Sequence, residues 1–212
     1  LRTPLAVVRS GLESVEKCSN EAERNHFLHL MSEETVHMKR LIDDMLLLAN
    51  SDADTLTIKP EACQPDLLLL DTYEKFEPLA KKNGLHLILT LPEEILPDCF
   101  CDIHRTEQIF SIIVDNALCY TPSGGKVTLS CHAENEMLCF LFEDTGCGIS
   151  EEKKSHIFER FYRADDAHTD REHFGLGLCI AKELTEKQNG NIQVVDAPIS
   201  GSCFMVQLPC AL

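Results

Sequence analysis

The sequence lacks several features that would point to particular classes of protein. It has no Trp, no visible signal peptide, and no apolar stretch near the ~20 residues of a membrane-spanning helix. Basic residues are few, with 19 Lys and Arg against 35 Asp and Glu, so the net charge is −16. That balance argues against binding to a nucleic-acid backbone and favours a soluble, self-repelling surface.

Cysteine is plentiful, yet the spacing typical of a metal or redox site is missing. The chain has 11 Cys residues but no Cys-x-x-Cys pair. Cys99, Cys101 and His104 have a ligand-like spacing, but a zinc site there needs a fourth ligand. The favoured alternative is that most thiols are small hydrophobic residues of strands and helices, in a reducing cytoplasm. Examples are Cys131, Cys139, Cys179 and Cys203.

Residues 1–50 have the periodicity of two helices. In the second helix, residues recur at alternating spacings of four and three and form a heptad seam with one polar member. The seam consists of Phe27, Met31, Glu34, Met38, Leu41, Met45 and Leu48. Because two such helices cannot bury a core alone, we expect the hairpin to pair with a second copy in a homodimeric four-helix bundle. The alternative is an ordinary helical subdomain packed on the rest of the chain.

A polar break at residues 50–54 marks the predicted boundary between a domain of residues 1–50 and a domain of residues 51–212. The second domain is predicted to combine helices with mainly antiparallel strands. The predicted strands are 55–58, 85–91, 126–132, 137–142, 192–195 and 202–208, and the predicted helices are 65–82, 104–122 and 177–188. This mixture predicts an α+β protein whose second domain is a two-layer α/β sandwich.

Two glycine motifs in the second domain indicate a nucleotide pocket. Asp144-Thr-Gly-Cys-Gly follows an apolar strand, and Gly175-Leu-Gly-Leu opens a helical pattern. A carboxylate beside glycines can accept a hydrogen bond from an exocyclic amine such as that of adenine. Glycines let the backbone approach a ligand, and a helix start offers free N–H groups to phosphate. Each motif alone also fits an ordinary turn or helix cap, but their order favours nucleotide binding.

The helix that precedes these motifs carries a third candidate group. Asn116, Cys119 and Tyr120 share one face of this helix because of their i, i+3, i+4 spacing. An Asn side chain offers its carbonyl oxygen to a hard cation such as Mg2+, and a Tyr ring can flank a purine. The alternative for Asn116 is a hydrogen bond to a neighbouring backbone group.

These motifs resemble those of bacterial sensor histidine kinases. The helix around Asn116 is similar to the N box, Asp144-Thr-Gly-Cys-Gly-Ile to the G1 box, and Gly175-Leu-Gly-Leu to the G2 box. Phe158-Glu-Arg-Phe-Tyr-Arg resembles the F box, and Leu1-Arg-Thr-Pro-Leu-Ala resembles the end of the H box. The resemblance covers nearly the whole chain. It implies a dimeric helical hairpin followed by the ATP-binding fold that histidine kinases share with gyrase B, MutL and heat-shock chaperone ATPases.

The resemblance also implies roles for individual residues. Thr3 would orient water when the partner regulator is dephosphorylated, and Asn116 would hold Mg2+. Residues 150–174 would form a mobile lid in which Arg160 and Arg163 neutralise phosphate charge, although a solvated loop face is the alternative for both arginines. Phe158 and Phe161 would anchor that lid. The predicted ATP-binding residues are Asn116, Tyr120, Asp144, Gly146, Gly148, Ile149, Phe158, Phe161, Gly175, Leu176, Gly177 and Leu178.

The chain departs from the family pattern at three places. The phosphoacceptor His of the H box would lie two residues before Leu1, so the chain as given is expected to bind ATP without phosphorylating itself. Ile112 stands where the family often has a second Asn, and Cys119 where it often has Lys or Arg. Each of these two residues removes a polar group from the phosphate side of the helix face.

We therefore expect the core of a protein-histidine kinase of two-component signalling. It would use ATP and Mg2+ to phosphorylate a His, and the phosphoryl group would pass to an Asp in the receiver domain of a response regulator. The expected partners are a second copy, through residues 1–50, and that receiver domain, with no nucleic acid. Contact with a membrane is expected only through segments ahead of the chain, as in the cytoplasmic part of a protein anchored in the bacterial inner membrane. The alternatives are a non-kinase ATPase of the same fold and an ATP-binding pseudokinase or interaction module.

Overall fold

The computed structural model describes residues 2–18, 20–163 and 174–211, with side chains from Pro4 onward. The chain divides into two compact units. Among the described residues, unit 1 comprises those up to Thr55 together with Phe174, and unit 2 comprises those from Leu56 to Arg163 and from Gly175 to Ala211. None of the described helices combines the length and the apolar composition that a membrane crossing requires.

Unit 1 is a hairpin of two helices, α1 (Arg2–Lys17) and α2 (Glu21–Asp52). Asn20 starts α2 because its side-chain oxygen accepts a hydrogen bond from the backbone N–H two residues further on, at 3.0 Å. The two helices approach closely at Gly11, where an added Cβ would lie 2.6 Å from Cγ of Met31. Glycine at this position therefore permits α1 to pack on α2.

The predicted heptad seam of α2 is divided in the structure. Met31, Leu41 and Leu48 are buried within the single chain, whereas Met45 is 42% exposed. The hairpin also exposes apolar side chains that are not part of the predicted seam. These include Leu5, Leu12, Leu28, Ile42 and Leu46. Exposed apolar residues that gather on one face of a helix indicate an interaction surface.

Helix α2 runs into the predicted polar break and ends at Asp52. Asp54 has a positive φ of 53°, and the N–H of Thr55 returns to the carbonyl oxygen of Asn50 at 2.9 Å. A residue in the left-handed region stops a helix because it turns the chain away from the helical path.

The predicted strand at residues 55–58 is wrong, because no strand forms between residues 53 and 60. The N–H of Lys59 donates to a carboxylate oxygen of Asp102 at 2.9 Å. A side chain thus takes the backbone donor that strand pairing would otherwise use. The strand begins only after Pro60.

Unit 2 contains the remaining elements of the chain. Its strands are β1 (Glu61–Cys63), β2 (His86–Thr90), β3 (Cys99–Cys101), β4 (Lys126–Glu134), β5 (Met137–Asp144), β6 (Asn191–Asp196) and β7 (Ser202–Pro209). Its helices are α3 (Pro65–Lys82), α4 (Ile103–Tyr120), α5 (Glu151–Lys154) and α6 (Gly177–Glu186). Five strands form a sheet of order β2-β4-β5-β7-β6, and β1 pairs with β3 in a separate two-stranded ribbon.

Neighbouring strands are antiparallel, as predicted, with one exception. β2 and β4 run parallel, since the chain crosses from one to the other through β3 and α4. The β4–β5 hairpin closes through Asn135 and Glu136, whose φ angles of 50° and 63° fit a type I′ turn. After α6, Asn189 has a φ of 58°, which is the left-handed helix stop that the sequence predicted.

Helices α3, α4 and α6 pack on the sheet and give unit 2 two layers. Phe110 of α4 lies at the centre, with its ring 4.8 Å from the ring of Phe140 and 5.0 Å from that of Phe142. All three side chains are fully buried. Along β4 and β7, buried residues alternate with more exposed ones, as expected for a sheet covered on one face. The predicted α+β fold class is confirmed.

Candidate nucleotide-binding site

The site is built around Asp144, the last residue of β5. This strand lies between β4 and β7, so its end is held from both sides. The Asp144 side chain is only 5% exposed, and its Oδ1 accepts a hydrogen bond from the N–H of Gly146 at 2.7 Å. The carboxylate is therefore fixed in a protein interior close to the point where the backbone leaves the sheet.

Burial raises the pKa of Asp144, because the interior disfavours the charged form. Hydrogen bonds from the backbone N–H groups of Gly146 and Ser202 oppose this effect. A carboxylate has about four lone-pair sites, so two backbone donors leave acceptor capacity for a further donor such as an amine.

Glycines surround this carboxylate and keep its neighbourhood narrow. A Cβ on Gly146 would lie 2.5 Å from the carbonyl oxygen of Tyr120, and Gly148 has a positive φ of 72°. Gly201, with φ of 90°, is so close that a Cβ there would overlap the backbone oxygen of Asp144. Gly201 was not among the predicted site residues, because a glycine between two predicted strands indicates only a turn.

Helix α4 carries the residues predicted for the metal and the purine ring. Asp102 caps the helix by accepting a hydrogen bond from the N–H of Arg105 at 3.1 Å. Asn116 and Tyr120 are half-buried near its other end. Ile112 approaches α6, since its Cγ2 is 3.2 Å from the position of a Cβ on Gly177. The last turns of α4 therefore lie beside both glycine motifs.

The second glycine motif begins α6. Gly175 has a positive φ of 71°, and a Cβ on it would lie 2.7 Å from the carbonyl oxygen of Tyr162. Leu176 is buried, whereas Gly177 and Leu178 are half-buried at the helix start. The first N–H groups of a helix have no partner within the helix, so this start can bind an anion.

The two predicted lid anchors behave differently. Phe158 is half-buried and meets the ring of Phe204 edge-on, with ring centroids 6.4 Å apart. Phe161 is 61% exposed, so its side chain does not anchor the segment by burial. Instead its N–H donates to the carbonyl oxygen of Gly175 at 2.8 Å, and its φ is 64°. A bulky residue at positive φ is strained, and here the backbone bond to Gly175 holds it.

Other predicted residues lie at the edge of the site or outside the described part of the chain. Ile149 is half-buried after the first glycine motif, and Arg160 and Arg163 are exposed. The side chain of Thr3 lies outside the described residues, as do residues 164–173 of the predicted lid.

The combination of Cys99 and Cys101 with His104, which the sequence did not favour as a zinc site, does not come together in the structure. His104 is 93% exposed and faces Glu107, with Nδ1 to Oε2 at 3.6 Å. The two thiols are buried and lie near Cys63. Hydrogen bonds from the thiols of Cys63 and Cys99 lower the pKa of Cys101.

Comparison with known proteins agrees with this geometry. Residues 101–212 match the family described as "Histidine kinase-, DNA gyrase B-, and HSP90-like ATPase", and residues 1–54 match the "His Kinase A (phospho-acceptor) domain". The chain belongs to the first of these families. With the phosphoacceptor-type hairpin ahead of residues 101–212, it is the core of a two-component sensor histidine kinase.

Individual relatives extend over nearly the whole chain. The adaptive-response sensory kinase SasA of Rippkaea orientalis is 30% identical over 99% of this chain and 55% of its own length. The sensor histidine kinase RppB of Synechocystis sp. is 32% identical over 99% of this chain and 46% of its own length. ShkA, whose full-length crystal structure is in complex with AMPPNP, has 26% sequence identity to this chain. The two structures have a TM-score of 0.79, and the match covers 99% of this chain and 44% of ShkA. The chain thus spans about half the length of these relatives.

Proposed function

We propose that this chain binds Mg-ATP and transfers its γ-phosphoryl group to a histidine, in two-component signalling. The observation that carries the proposal is the buried Asp144 carboxylate, held by Gly146 and bordered closely by Gly201. A buried carboxylate costs free energy unless a partner compensates for it. An adenine amino group is such a partner, because it donates hydrogen bonds and fits a narrow, glycine-lined space. The AMPPNP bound by ShkA, an adenine nucleotide, supports the same assignment.

The phosphates are assigned to the start of α6. Gly175 and Gly177 lack the side chains that would crowd the backbone there, and the free N–H groups of the helix start favour negative charge. Arg160 and Arg163 are exposed on the segment that leads towards α6, where guanidinium groups can neutralise phosphate charge. ATP supplies the phosphoryl group, and the residues of this chain orient it and stabilise its charge.

Mg2+ is assigned to Asn116. Its amide is half-buried on α4, close in sequence to Tyr120, whose carbonyl oxygen borders Gly146. An amide oxygen is a suitable ligand for Mg2+, which retains several waters when few protein ligands are present. Ile112 contributes apolar packing against Gly177 rather than a second amide. A single amide makes the phosphate side of this face less polar than the family pattern implies.

We further propose that residues 1–50 form a homodimer through α2. Leu28 and Ile42 are two heptads apart and Leu46 is one turn further, so these exposed side chains follow one face. A second hairpin would bury this face and complete a four-helix bundle. The response-regulator receiver domain is the proposed second partner. The proposed setting is the cytoplasmic side of a bacterial membrane, with anchorage supplied by other segments of the parent protein.

Incubation with ATP that carries a radioactive γ-phosphate distinguishes a kinase from the two alternative functions. The protein is tested with its natural sequence ahead of Leu1 included, since the acceptor His is expected there. A kinase acquires an acid-labile, base-stable label that depends on Mg2+. A non-kinase ATPase releases phosphate without a label, and a pseudokinase binds ATP without either reaction. Either of the last two results contradicts the proposed function. The match of residues 1–54 to a phosphoacceptor domain favours the kinase.

A further inference from the structure

The ribbon of β1 and β3 brings three thiols together, at a place distinct from the nucleotide site. Cys63 of β1 is the register partner of Cys99 of β3, and Cys101 lies on the same face as Cys99 because strand side chains alternate. The three Sγ atoms all lie within 4.8 Å of one another. Cys63 Sγ and Cys101 Sγ are 3.4 Å apart. Among the described residues, no other three thiols converge in this way.

Burial alone does not account for this arrangement. Cys99 and Cys101 are fully buried, and Cys63 is half-buried at the edge of the cluster. A small hydrophobic residue of any kind would fill such positions, whereas a thiol adds a reactive group that the packing does not require. Two of these thiols come from one short strand and the third from its partner strand. A ribbon of three-residue strands has little hydrogen bonding of its own, so an additional link between its strands would stabilise it.

The separation of the sulfur atoms suits a metal ion. Tetrahedral zinc binds thiolates at about 2.3 Å, which places neighbouring sulfurs about 3.8 Å apart. That separation falls between the closest pair, at 3.4 Å, and the 4.8 Å that bounds all three. Thiolate ligands select soft or borderline cations, above all Zn2+ and Cu+. Cys63 is half-buried at the edge of the cluster, so a fourth position is open to water.

We propose that Cys63, Cys99 and Cys101 form a binding site for a thiophilic cation of the Zn2+ and Cu+ class. The ribbon follows the segment through which the chain enters unit 2, and β3 leads directly into α4. Asp102 joins these parts, since its carboxylate accepts hydrogen bonds from the N–H groups of Lys59 and Arg105. A bound cation therefore fastens the entry segment of unit 2 to the start of the helix that carries Asn116.

The proposal is tested by metal titration of the reduced, metal-free protein without oxygen. Co2+ reports a zinc-type site through the visible bands of tetrahedral thiolate coordination, and Zn2+ then displaces it. Cu+ is titrated in competition with a chromophoric Cu+ chelator. We expect one cation to bind per chain and to raise the melting temperature of the protein. The titration that gives tight binding, with Zn2+ or with Cu+, identifies the cation. Absence of stoichiometric binding in both arms overturns the proposal.

Two variants make the test specific to this cluster. Cys63→Ser removes the half-buried ligand with little disturbance of packing and should weaken binding at least tenfold and abolish the metal-dependent rise in melting temperature. Cys18→Ser, in unit 1, removes one thiol elsewhere and should leave both measurements unchanged. Equal binding by wild type and Cys63→Ser contradicts the assignment.

Discussion

Replacing Asp144 by Asn separates the binding role of this carboxylate from its role in the fold. The side chain is 5% exposed, and Oδ1 accepts the N–H of Gly146. An Asn oxygen can keep that bond, because the two side chains have the same shape. The amide nitrogen would then face the adenine amino group, and two donors would meet. Loss of a charge-assisted hydrogen bond costs about 1.5–3 kcal/mol, which predicts ATP binding that is about ten- to a hundredfold weaker.

The same substitution should remove the pH dependence of stability that this carboxylate causes. Burial raises the pKa of Asp144, so the ionised carboxylate is less favourable in the folded chain than in the unfolded one. The wild-type protein therefore has its full stability at low pH, where Asp144 is protonated. It loses part of that stability as pH rises through the raised pKa and the carboxylate ionises. Asn is neutral throughout. The free energy of unfolding of Asp144→Asn, relative to wild type, should therefore increase across that pH range and then level off.

Both effects are measured on one preparation of each protein. Calorimetric ATP titration gives the affinity, and denaturant unfolding at a series of pH values gives the free energy of unfolding. Glu143→Gln is the matched control, since it removes the same charge from the neighbouring residue of β5, whose side chain points to the other face of the sheet. A folded Asp144→Asn protein with wild-type ATP affinity would refute the adenine assignment. A free energy of unfolding that, relative to wild type, stays constant or falls as pH rises would refute the account of the pKa.

Two further predictions concern packing and assembly. Gly201→Ala should weaken ATP binding and destabilise the fold by at least about 1–2 kcal/mol, because a Cβ at positive φ is strained and this one also overlaps the backbone of Asp144. Denaturant unfolding and ATP titration measure the stability and the ATP affinity of this variant. Wild-type values for both would show that the loop around Gly201 moves freely. Ile42→Asp should convert the dimer to monomer, whereas Val36→Asp, an equally exposed apolar residue about 120° away around α2, should leave it intact. Sedimentation of each protein at tens of micromolar measures its oligomeric state. Equal effects of the two variants would place the dimer interface elsewhere.

Local patterns predicted the elements with strong local signals. The helix at residues 65–82 was predicted with the bounds that the structure has, because Pro65 starts it and a clear apolar periodicity follows. The left-handed turn at Asn189 was likewise predictable, since an Asn-Gly pair favours that conformation. Asp144 stood out for a related reason, because its glycines are adjacent in sequence.

The features that depend on distant contacts were not predictable from the sequence. Gly201 meets Asp144 only because β7 pairs with β5, and nothing near Gly201 in sequence reports that pairing. The cluster of Cys63 with Cys99 and Cys101 depends on a ribbon of three-residue strands, which are too short to show a period. The division of the α2 seam has a similar cause, since periodicity gives the apolar residues but not the partner that each one meets.

The single parallel pair in the sheet has a consequence for the order in which unit 2 folds. β4 and β5 are joined by the two-residue turn at Asn135 and Glu136, so their pairing closes a very small loop. Pairing of β2 with β4 must wait until the chain between them, including α4, has become compact, because closing a longer loop costs more entropy. Kinetics would therefore separate the two pairings. Pulsed hydrogen exchange during refolding should protect the Leu141 amide, which faces β4, before that of Ile88, which faces β4 from the other side, and simultaneous protection would indicate that the sheet forms in one cooperative step.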